Sequence, residues 1–244
     1  FLNFFTDPYF GRLLKNTFLI SGLTILFGFP APIILALMIN EVKNSAFKRT
    51  VQTITYMPYF ISMVVLCGLL KTFCMQDGLF AQIAVLFGGK AQNYLANPAY
   101  FRTIYVLSDI WSGIGWNSII YLAALSSIDQ EQYEAARVDG ANRFQQMLHI
   151  TLPGLVPTIM VLFILRMGNI LNVGYEKILL LYNSATYSTA DVISTYTYRL
   201  SFGGSGNPMY SKSTAIGLFN TIINVFFLML TNMISKKATD AGLF

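Results

Sequence analysis

The chain has 244 residues, 55% of them hydrophobic and only 11% charged, and its formal net charge is +5 at pH 7. Soluble domains average about 25% charged residues, so this composition predicts a membrane protein and excludes an ordinary soluble domain. No basic stripe or nucleic-acid motif accompanies the positive charge, so anionic lipid suits it better than nucleic acid. With two cysteines outside any CxxC motif and a lone His149, no metal site is expected.

Five stretches are apolar over about 20 residues, the length of helix that crosses a bilayer core of about 30 Å. The sequence therefore predicts an all-α, polytopic membrane helix bundle in which residues 1–244 form a single transmembrane domain. Pro30 and Pro32 predict a kink in the first span. In chain order, the predicted spans are 18–39, 53–73, 104–125, 156–175 and 214–234.

The stretch 176–212, between the last two predicted spans, is a long loop rich in tyrosine, serine and threonine. Its Gly-Gly-Ser-Gly-Asn-Pro run at 203–208 predicts a flexible turn cluster. Lysine and arginine residues are divided equally between the two sides of the bundle, so the positive-inside rule alone does not fix its orientation. The chain opens at Phe1 without the basic start of a secretory signal, and we expect an upstream portion to precede it.

A polar insert, residues 126–155, separates the third and fourth predicted spans. Asp129 is a plausible N-cap with Gln132 as its capping-box partner. Gly140 can take the left-handed conformation that ends the helix they begin. A second short helix is expected to follow and to stop at Pro153. The apolar side chains of this second helix fall at i, i+3 and i+4 and are Phe144, Met147 and Leu148.

This amphipathic helix pair needs a surface that covers its apolar side chains, and two explanations compete. The pair could lie on lipid headgroups or pack against its own bundle. It could instead dock into a groove of a partner protein. The acidic residues Asp129, Glu131, Glu134 and Asp139 outnumber Arg137 and Arg143, and a net-negative helix pair suits an anionic lipid surface poorly. The charge balance therefore favours a protein partner.

The stretch 134–157, EAARVDGANRFQQMLHITLPGLVP, closely resembles the EAA loop of the membrane subunits of bacterial ABC importers. Met147 departs from the pattern, because many members carry an aromatic there. The flanking segments SDIWSGIGWNSIIYLAALSSID and LRMGNILNVGYEKILLLYN resemble the maltose-type carbohydrate branch, in particular its polysaccharide and oligosaccharide permeases. The matching positions are Glu134, Ala135, Ala136, Asp139, Gly140, Ala141, Phe144, Ile150, Leu152, Pro153 and Pro157.

The resemblance implies the type I ABC importer transmembrane-domain fold, with one further helix before Phe1, in the bacterial cytoplasmic (inner) membrane. It implies that 126–155 is a cytoplasmic coupling loop and that 176–212 is extracytoplasmic. The implied partners are membrane lipid, a second homologous permease, two ABC ATPase subunits, an extracytoplasmic solute-binding protein and a sugar, most suitably an oligosaccharide or polysaccharide fragment. The residues implied in ATPase coupling are Glu134, Ala135, Ala136, Asp139, Gly140, Ala141, Phe144, Met147 and Pro153.

The chain itself is not expected to be an enzyme. A phosphate-binding P-loop needs G-x-x-x-x-G-K-[ST], and Gly88-Gly89-Lys90 is followed by Ala91 and lacks the first glycine. No cofactor is therefore expected in this chain, and the resemblance assigns ATP and Mg²⁺ to separate ATPase subunits. A membrane-embedded hydrolase is also unsupported, because no nucleophile motif accompanies His149.

A charged or polar side chain inside a membrane span is a candidate for the substrate pathway. Arg166 lies about 15 Å into the fourth predicted span by helical rise, and on a continuous helix Asn169, Asn172 and Glu176 would lie near its face. Asp109, Trp116 and Asn117 occupy the preceding span, where an indole ring and an amide would suit a sugar. Structural alternatives stand beside these roles: Arg166 could pair with Asp109 or Glu176, and Trp116 could pack between helices.

An ion-coupled secondary transporter of a polar solute is the alternative function. That class needs a discontinuous helix with a buried acidic coupling site, often within inverted repeats, and the sequence shows neither.

Overall fold

The computed structural model describes residues 2–203, 207–239 and 242–243, and the regular secondary structure in these ranges is helical. Short 3₁₀ turns lie at Met57–Phe60 and Tyr94–Ala96, and π turns lie at Thr24–Gly28 and Met147–Thr151. The α-helices, in chain order, are α1 (Leu2–Phe5), α2 (Phe10–Leu23), α3 (Pro30–Glu41), α4 (Ser45–Tyr56), α5 (Met63–Cys74), α6 (Leu79–Leu86), α7 (Pro98–Ser126), α8 (Gln130–Val138), α9 (Arg143–Gln146), α10 (Leu152–Met167), α11 (Tyr175–Leu181), α12 (Tyr187–Ala190), α13 (Ile193–Phe202) and α14 (Tyr210–Thr239).

Four helical segments of the described chain are long and apolar enough to cross a membrane. The predicted third span, 104–125, lies inside α7, which has 29 residues but carries Arg102, Asp109 and several other polar side chains. The helical bundle predicted from the sequence is therefore confirmed. The four segments are Phe10–Glu41, Met63–Leu86, Arg143–Met167 and Tyr210–Lys237.

The second predicted span, 53–73, is wrong as a single helix. The chain leaves the α-helical path at the 3₁₀ turn Met57–Phe60 and resumes it in α5. Pro58 has no backbone N–H to donate in a continuing helix, and the Ser62 hydroxyl caps α5 by accepting from the amide of Val65 at 3.4 Å. Two helices joined by a 3₁₀ turn and a short non-helical step therefore replace one continuous span.

The fourth predicted span, 156–175, is also wrong at its C-terminal end, because α10 stops at Met167. The amide of Gly168 still donates to the carbonyl of Ile164 at 2.9 Å, but the following residues leave the helix. The amide of Leu171 instead donates to Oδ1 of Asn224, on α14, at 3.0 Å. This side chain replaces the carbonyl that a continuing helix would provide.

The disturbance expected from Pro30 and Pro32 takes the form of the π turn Thr24–Gly28, which directly precedes them. α2, this turn and α3 follow one another without an intervening loop, so the first span is a helical segment with a widened turn in it.

The bundle packs around α7, which lies against α3, α4, α10 and the π turn Thr24–Gly28. Gly115 allows the close approach of α7 to α4, because a side chain there would collide with the backbone of Thr55. The largest buried cluster lies between α2, α5, α7 and α11 and includes Ile20, Leu70 and Phe101. α10 packs on α14, which completes the bundle.

The stretch 176–212 is largely helical rather than an irregular loop, since most of α11 and all of α12 and α13 lie in it. The buried Asp191 carboxylate accepts hydrogen bonds from Nη1 and Nη2 of Arg199, at 2.8 and 2.7 Å. Burial acts to lower the pKa of the Arg199 guanidinium, but hydrogen bonds to Asp191 and Tyr182 outweigh it and raise that pKa. Asn16 on α2 donates to the carbonyl of Asp191 at 2.9 Å and so ties this segment to the bundle. Residues 204–206 of the predicted turn cluster lie outside the described residues.

Candidate functional site

The first half of the coupling loop is helix α8, and both of its ends are capped. The Asp129 side chain accepts from the amide of Glu131 at 3.0 Å, which confirms the predicted N-cap. At the other end, Gly140 has a φ of +81°, and the amide of Ala141 donates to the carbonyl of Ala136 at 2.9 Å. This pattern is a Schellman motif, and it needs the positive φ that glycine adopts without strain.

The predicted capping box between Asp129 and Gln132 is absent from the described contacts of this helix. A capping box is present one helix later, where the side chains and amides of Asn142 and Gln145 bond reciprocally at 2.9 and 2.8 Å. The sharp turn between α8 and α9 is therefore fixed from both sides, by the Schellman motif and by this box.

The second half of the coupling loop runs without a break into the membrane, so the prediction that Pro153 stops its helix is wrong. α9 passes through the π turn Met147–Thr151 directly into α10. The amide of Leu152 donates to the carbonyl of Met147, five residues back. This wider turn precedes Pro153, which occupies the first turn of α10, where its missing N–H is tolerated. Residues 143–167 therefore form one helical rod that joins the loop to a membrane span.

The coupling loop presents apolar side chains to its surroundings. Val138, Phe144 and Leu148 are 88%, 66% and 46% exposed. Of the other residues implied in coupling, Ala136, Ala141 and Met147 are half-buried, whereas the exposed ones are Glu134, Ala135, Asp139, Gly140 and Pro153.

Two contacts hold the coupling loop in place, one within the loop and one to the rest of the chain. The Tyr133 hydroxyl lies 3.0 Å from Oγ1 of Thr151, which ties α8 to the π turn. Arg143 at the start of α9 lies 3.5 Å from the carboxylate of Glu41 at the end of α3. A displacement of the loop would therefore reach both α10 and the first membrane segment.

A cavity of about 500 Å³ lies between α3, α7 and α10. A second space of about 220 Å³ shares Asp109, Arg166, Asn169 and Asn172 with it and extends to Tyr105 and Gly174. The structure thus brings most of the candidate pathway residues together in one polar recess. The cavity residues among those candidates are Asp109, Asn117, Arg166, Asn169 and Asn172.

Arg166 is exposed to this cavity and forms no ion pair with the residues that the structure describes. In the structure Arg166 therefore pairs with neither Asp109 nor Glu176. Asn169 donates to the carbonyl of Leu165 at 3.1 Å, and Asn172 donates to Oδ1 of Asn169 at 3.1 Å. The two amides therefore bond with each other and not with the guanidinium.

Trp116 and Glu176 do not line this cavity. Trp116 stacks on Tyr59 with ring centroids 4.7 Å apart and meets the edge of Phe60 at 5.6 Å, so it packs α7 against the turn that follows α4. Glu176 is an exposed residue on α11, because α10 ends at Met167 and the helical register that would have aligned Glu176 with Arg166 is lost.

Lys177 is a residue of this region that the sequence did not single out. It is 2% exposed, and its ammonium donates to the carbonyl of Tyr105 at 3.2 Å and to Oδ1 of Asp109 at 3.4 Å. Lys177, Ile178 and Leu181 share the buried face of α11, and their i, i+1, i+4 spacing in the sequence is consistent with such a face. This helix is not predicted from the sequence, so the spacing alone does not identify Lys177 as a buried residue.

Comparison with known proteins gives a consistent result. Residues 28–240 match the family described as binding-protein-dependent transport system inner membrane component. Protein LplB of Bacillus subtilis is 43% identical over 245 residues, which cover all of this chain and 76% of that protein. The Bacillus subtilis polygalacturonan/rhamnogalacturonan transport system permease protein YteP is 41% identical and is covered to 75%.

Solved structures agree with these relatives. A chain of the bacterial alginate ABC transporter, in complex with an alginate pentasaccharide-bound periplasmic protein, superposes with a TM-score of 0.94 at 46% identity. The match covers 99% of this chain and 83% of that chain. A second structure, of a bacterial ABC transporter involved in the import of the acidic polysaccharide alginate, gives 0.93. The chain therefore belongs to the family of binding-protein-dependent transport system inner membrane components.

Proposed function

We propose that this chain imports acidic oligosaccharides, as one of two permease subunits that form a path for the sugar between them. The chain is a membrane permease of the carbohydrate ABC importers, and the ion-coupled alternative has no support in this family. Within that class, the observation that supports an acidic substrate is Arg166, which faces the cavity without an ion pair among the described residues.

The chemistry of the cavity fits a sugar acid. A guanidinium offers a planar fork that matches a carboxylate, and the amides of Asn117 and Asn169 can bond hydroxyl groups. The relatives support this substrate class, because the names of two of them refer to polygalacturonan and to alginate. The Asp109 carboxylate does not contradict it, since Lys177 lies 3.4 Å away.

Energy is proposed to enter through the coupling loop, residues 126–155, from two separate ATPase subunits that bind ATP and Mg²⁺. Exposed Phe144 and Leu148 supply an apolar docking face, and the continuous rod 143–167 carries its displacement into the membrane. Because Arg166 lies at the far end of this rod, movement of the loop would move a cavity residue directly. Alternation of the cavity between the two sides of the membrane follows from such a movement.

The substrate class can be tested on the complex reconstituted with its partner permease, ATPases and solute-binding protein. We expect uptake and stimulation of ATP hydrolysis by alginate pentasaccharide or an oligogalacturonide, because each presents carboxylates to Arg166. The matched control is the same saccharide with its carboxyl groups reduced, which we expect to be imported poorly. Import of the reduced saccharide in preference to both acidic ones would contradict the proposal.

The orientation of the coupling loop can be tested by cysteine labelling. In a chain with Cys67 and Cys74 replaced by serine, we expect Gln145→Cys to resist a membrane-impermeant thiol reagent added outside the cell. Asn207→Cys, on the opposite side of the predicted bundle, is expected to react. Both positions are exposed, so burial within the chain does not account for a difference. Labelling of Gln145→Cys but not Asn207→Cys in intact cells would reverse the orientation.

A further inference from the structure

A buried ammonium group lies behind the polar recess. Lys177 on α11 has a side chain that is only 3% exposed. Its ammonium donates to the carbonyl of Tyr105 at 3.2 Å and to the carboxylate of Asp109 at 3.4 Å, and it lies 4.7 Å from the centre of the Tyr105 ring. Burial lowers the pKa of the Lys177 ammonium, and the Asp109 carboxylate opposes this shift by favouring the charged form. The face of the Tyr105 ring also favours a charged over a neutral lysine.

Asp109 is the exposed member of this pair. Its side chain is 40% exposed, and it lines both parts of the recess together with Arg166. A carboxylate without a partner at this position would repel an anionic sugar and would also offset the attraction of the Arg166 guanidinium. The Asp109 carboxylate faces the cavity, whereas the Lys177 ammonium that neutralises it is buried behind the cavity wall.

A positive charge at residue 177 compensates the negative charge of Asp109, and a neutral hydrogen-bond donor there would not. Glutamine could donate to the carbonyl of Tyr105 or to Asp109 without the cost of removing an ammonium from water. Charge neutralisation of Asp109 is the contribution that requires lysine. This electrostatic role explains why the buried face of a short helix carries Lys177 beside Ile178 and Leu181.

We propose that Lys177 determines specificity by neutralising Asp109, so that the recess presents the charge of Arg166 to an anionic saccharide. This inference rests on the proposed acidic substrate. Lys177 itself does not touch the solute. It acts through Asp109, and its removal would convert the recess from attractive to roughly neutral for a carboxylate.

The test compares Lys177→Gln with the wild-type complex in uptake of alginate pentasaccharide at low and high salt. Lys177→Gln is expected to lower the rate about tenfold at low salt, the size of effect that one uncompensated charge exerts across a wet cavity. Raising KCl from about 0.1 M to about 1 M shortens the screening length from about 10 Å to about 3 Å. The ratio of variant to wild-type rate is therefore expected to rise about threefold or more with salt. Taking this ratio removes salt effects on docking of the binding protein.

The matched variant is Lys177→Gln combined with Asp109→Asn, which removes both charges. We expect its uptake to recover to within about threefold of wild type and the ratio to lose its dependence on salt. Recovery of uptake alone would also follow if the second substitution relieved a folding defect. The salt dependence therefore decides whether the role of Lys177 is electrostatic or only structural. A ratio for Lys177→Gln that is the same at both salt concentrations would overturn the inference, whatever the yield of the complex.

The experiments distinguish failure of the proposed role of Lys177 from failure of the proposed acidic substrate. If the wild-type complex imports the pentasaccharide but the Lys177→Gln ratio ignores salt, the acidic substrate stands and the role of Lys177 falls. If the wild-type complex imports the carboxyl-reduced saccharide in preference to the acidic ones, both fall together.

Discussion

Replacing Gly140 with valine is expected to uncouple ATP hydrolysis from transport while the chain still inserts into the membrane. Gly140 has a φ of +81°, and no other atom lies within 4 Å of the position that a Cβ would take. The cost of valine therefore comes from the backbone alone, about 1 to 3 kcal/mol for a β-branched residue held in the left-handed region. At about 1.4 kcal/mol per factor of ten, solute-stimulated ATP hydrolysis is expected to fall about tenfold.

The local reason for this effect is the pair of caps at the turn. If residue 140 leaves the left-handed region, the bond from the Ala141 amide to the Ala136 carbonyl is lost, and the orientation of α8 relative to α9 is no longer fixed. The apolar docking face contains Val138 before the turn and Phe144 after it. A partner groove that needs both would then meet them in the wrong relative positions.

The chain offers a close control for the Gly140→Val variant. Gly88 has the same φ of +81° and equally open space around its Cβ position, but it follows α6, far along the chain from the coupling loop. Gly88→Val is expected to carry a similar backbone strain and to leave coupling intact. Gly140→Asn is expected to retain most of the stimulation, because asparagine tolerates the left-handed region. Full solute-stimulated hydrolysis by purified Gly140→Val complex would refute the role of this turn.

The sequence predicted those parts of the fold that depend on neighbouring residues. The N-cap at Asp129, the glycine that ends α8 and the apolar helices follow from local composition and spacing, and the structure has them. Local rules also misled at Pro153, because proline was expected to stop a helix. A preceding π turn removes that conflict, and no periodicity of side chains in the sequence indicates a π turn.

The parts of the candidate site that the sequence missed depend on residues far apart in the chain. α10 ends at Met167, and the amide of Leu171 bonds to Asn224, 53 positions later. The register that would have brought Glu176 to the recess is lost with the end of this helix. Asp109 was considered as a partner for Arg166, but its partner is Lys177, 68 positions away on a helix that was not predicted. The sequence offers Trp116 for a sugar contact or for packing, and the ring of Tyr59 on which it stacks lies 57 positions earlier in the chain. Such pairings cannot be derived from one sequence without its fold.

Arg166→Gln is expected to give a complex that assembles in normal yield and loses most of its uptake of an acidic oligosaccharide. Arg166 lies in the last turn of α10 and lines the cavity, and a charged side chain in a membrane span calls for a compensating role. An internal ion pair does not provide one, because Arg166 has no such pair among the described residues and Asp109 is held by Lys177. Its removal therefore leaves no partner carboxylate stranded, and assembly should be unaffected.

The size and pattern of the loss identify the contact. A hydrogen bond from a charged group contributes about 1.5 to 3 kcal/mol, so uptake per assembled complex is expected to fall about tenfold to a hundredfold. Arg166→Lys keeps the charge but loses the planar fork, and we expect it to be intermediate. A matched control is Arg102→Gln, which removes an arginine from α7 that donates to Asn16 at 2.8 Å and does not line the cavity. We expect it to change the yield of the complex and not the uptake per complex.

The combination of Arg166→Gln with Asp109→Asn separates the two explanations for Arg166. If Arg166 contacts solute, the second substitution does not return uptake to the wild-type rate, because it leaves the charge of Lys177 without its carboxylate but supplies no fork. If Arg166 only stabilised the bundle through Asp109, the double variant would recover both yield and uptake, since the carboxylate left without Arg166 would have been removed. Measuring yield and uptake for the single and double variants therefore decides the matter. Wild-type uptake by Arg166→Gln alone would remove this residue from the sugar's path, and with it the charge on which an acidic substrate was proposed.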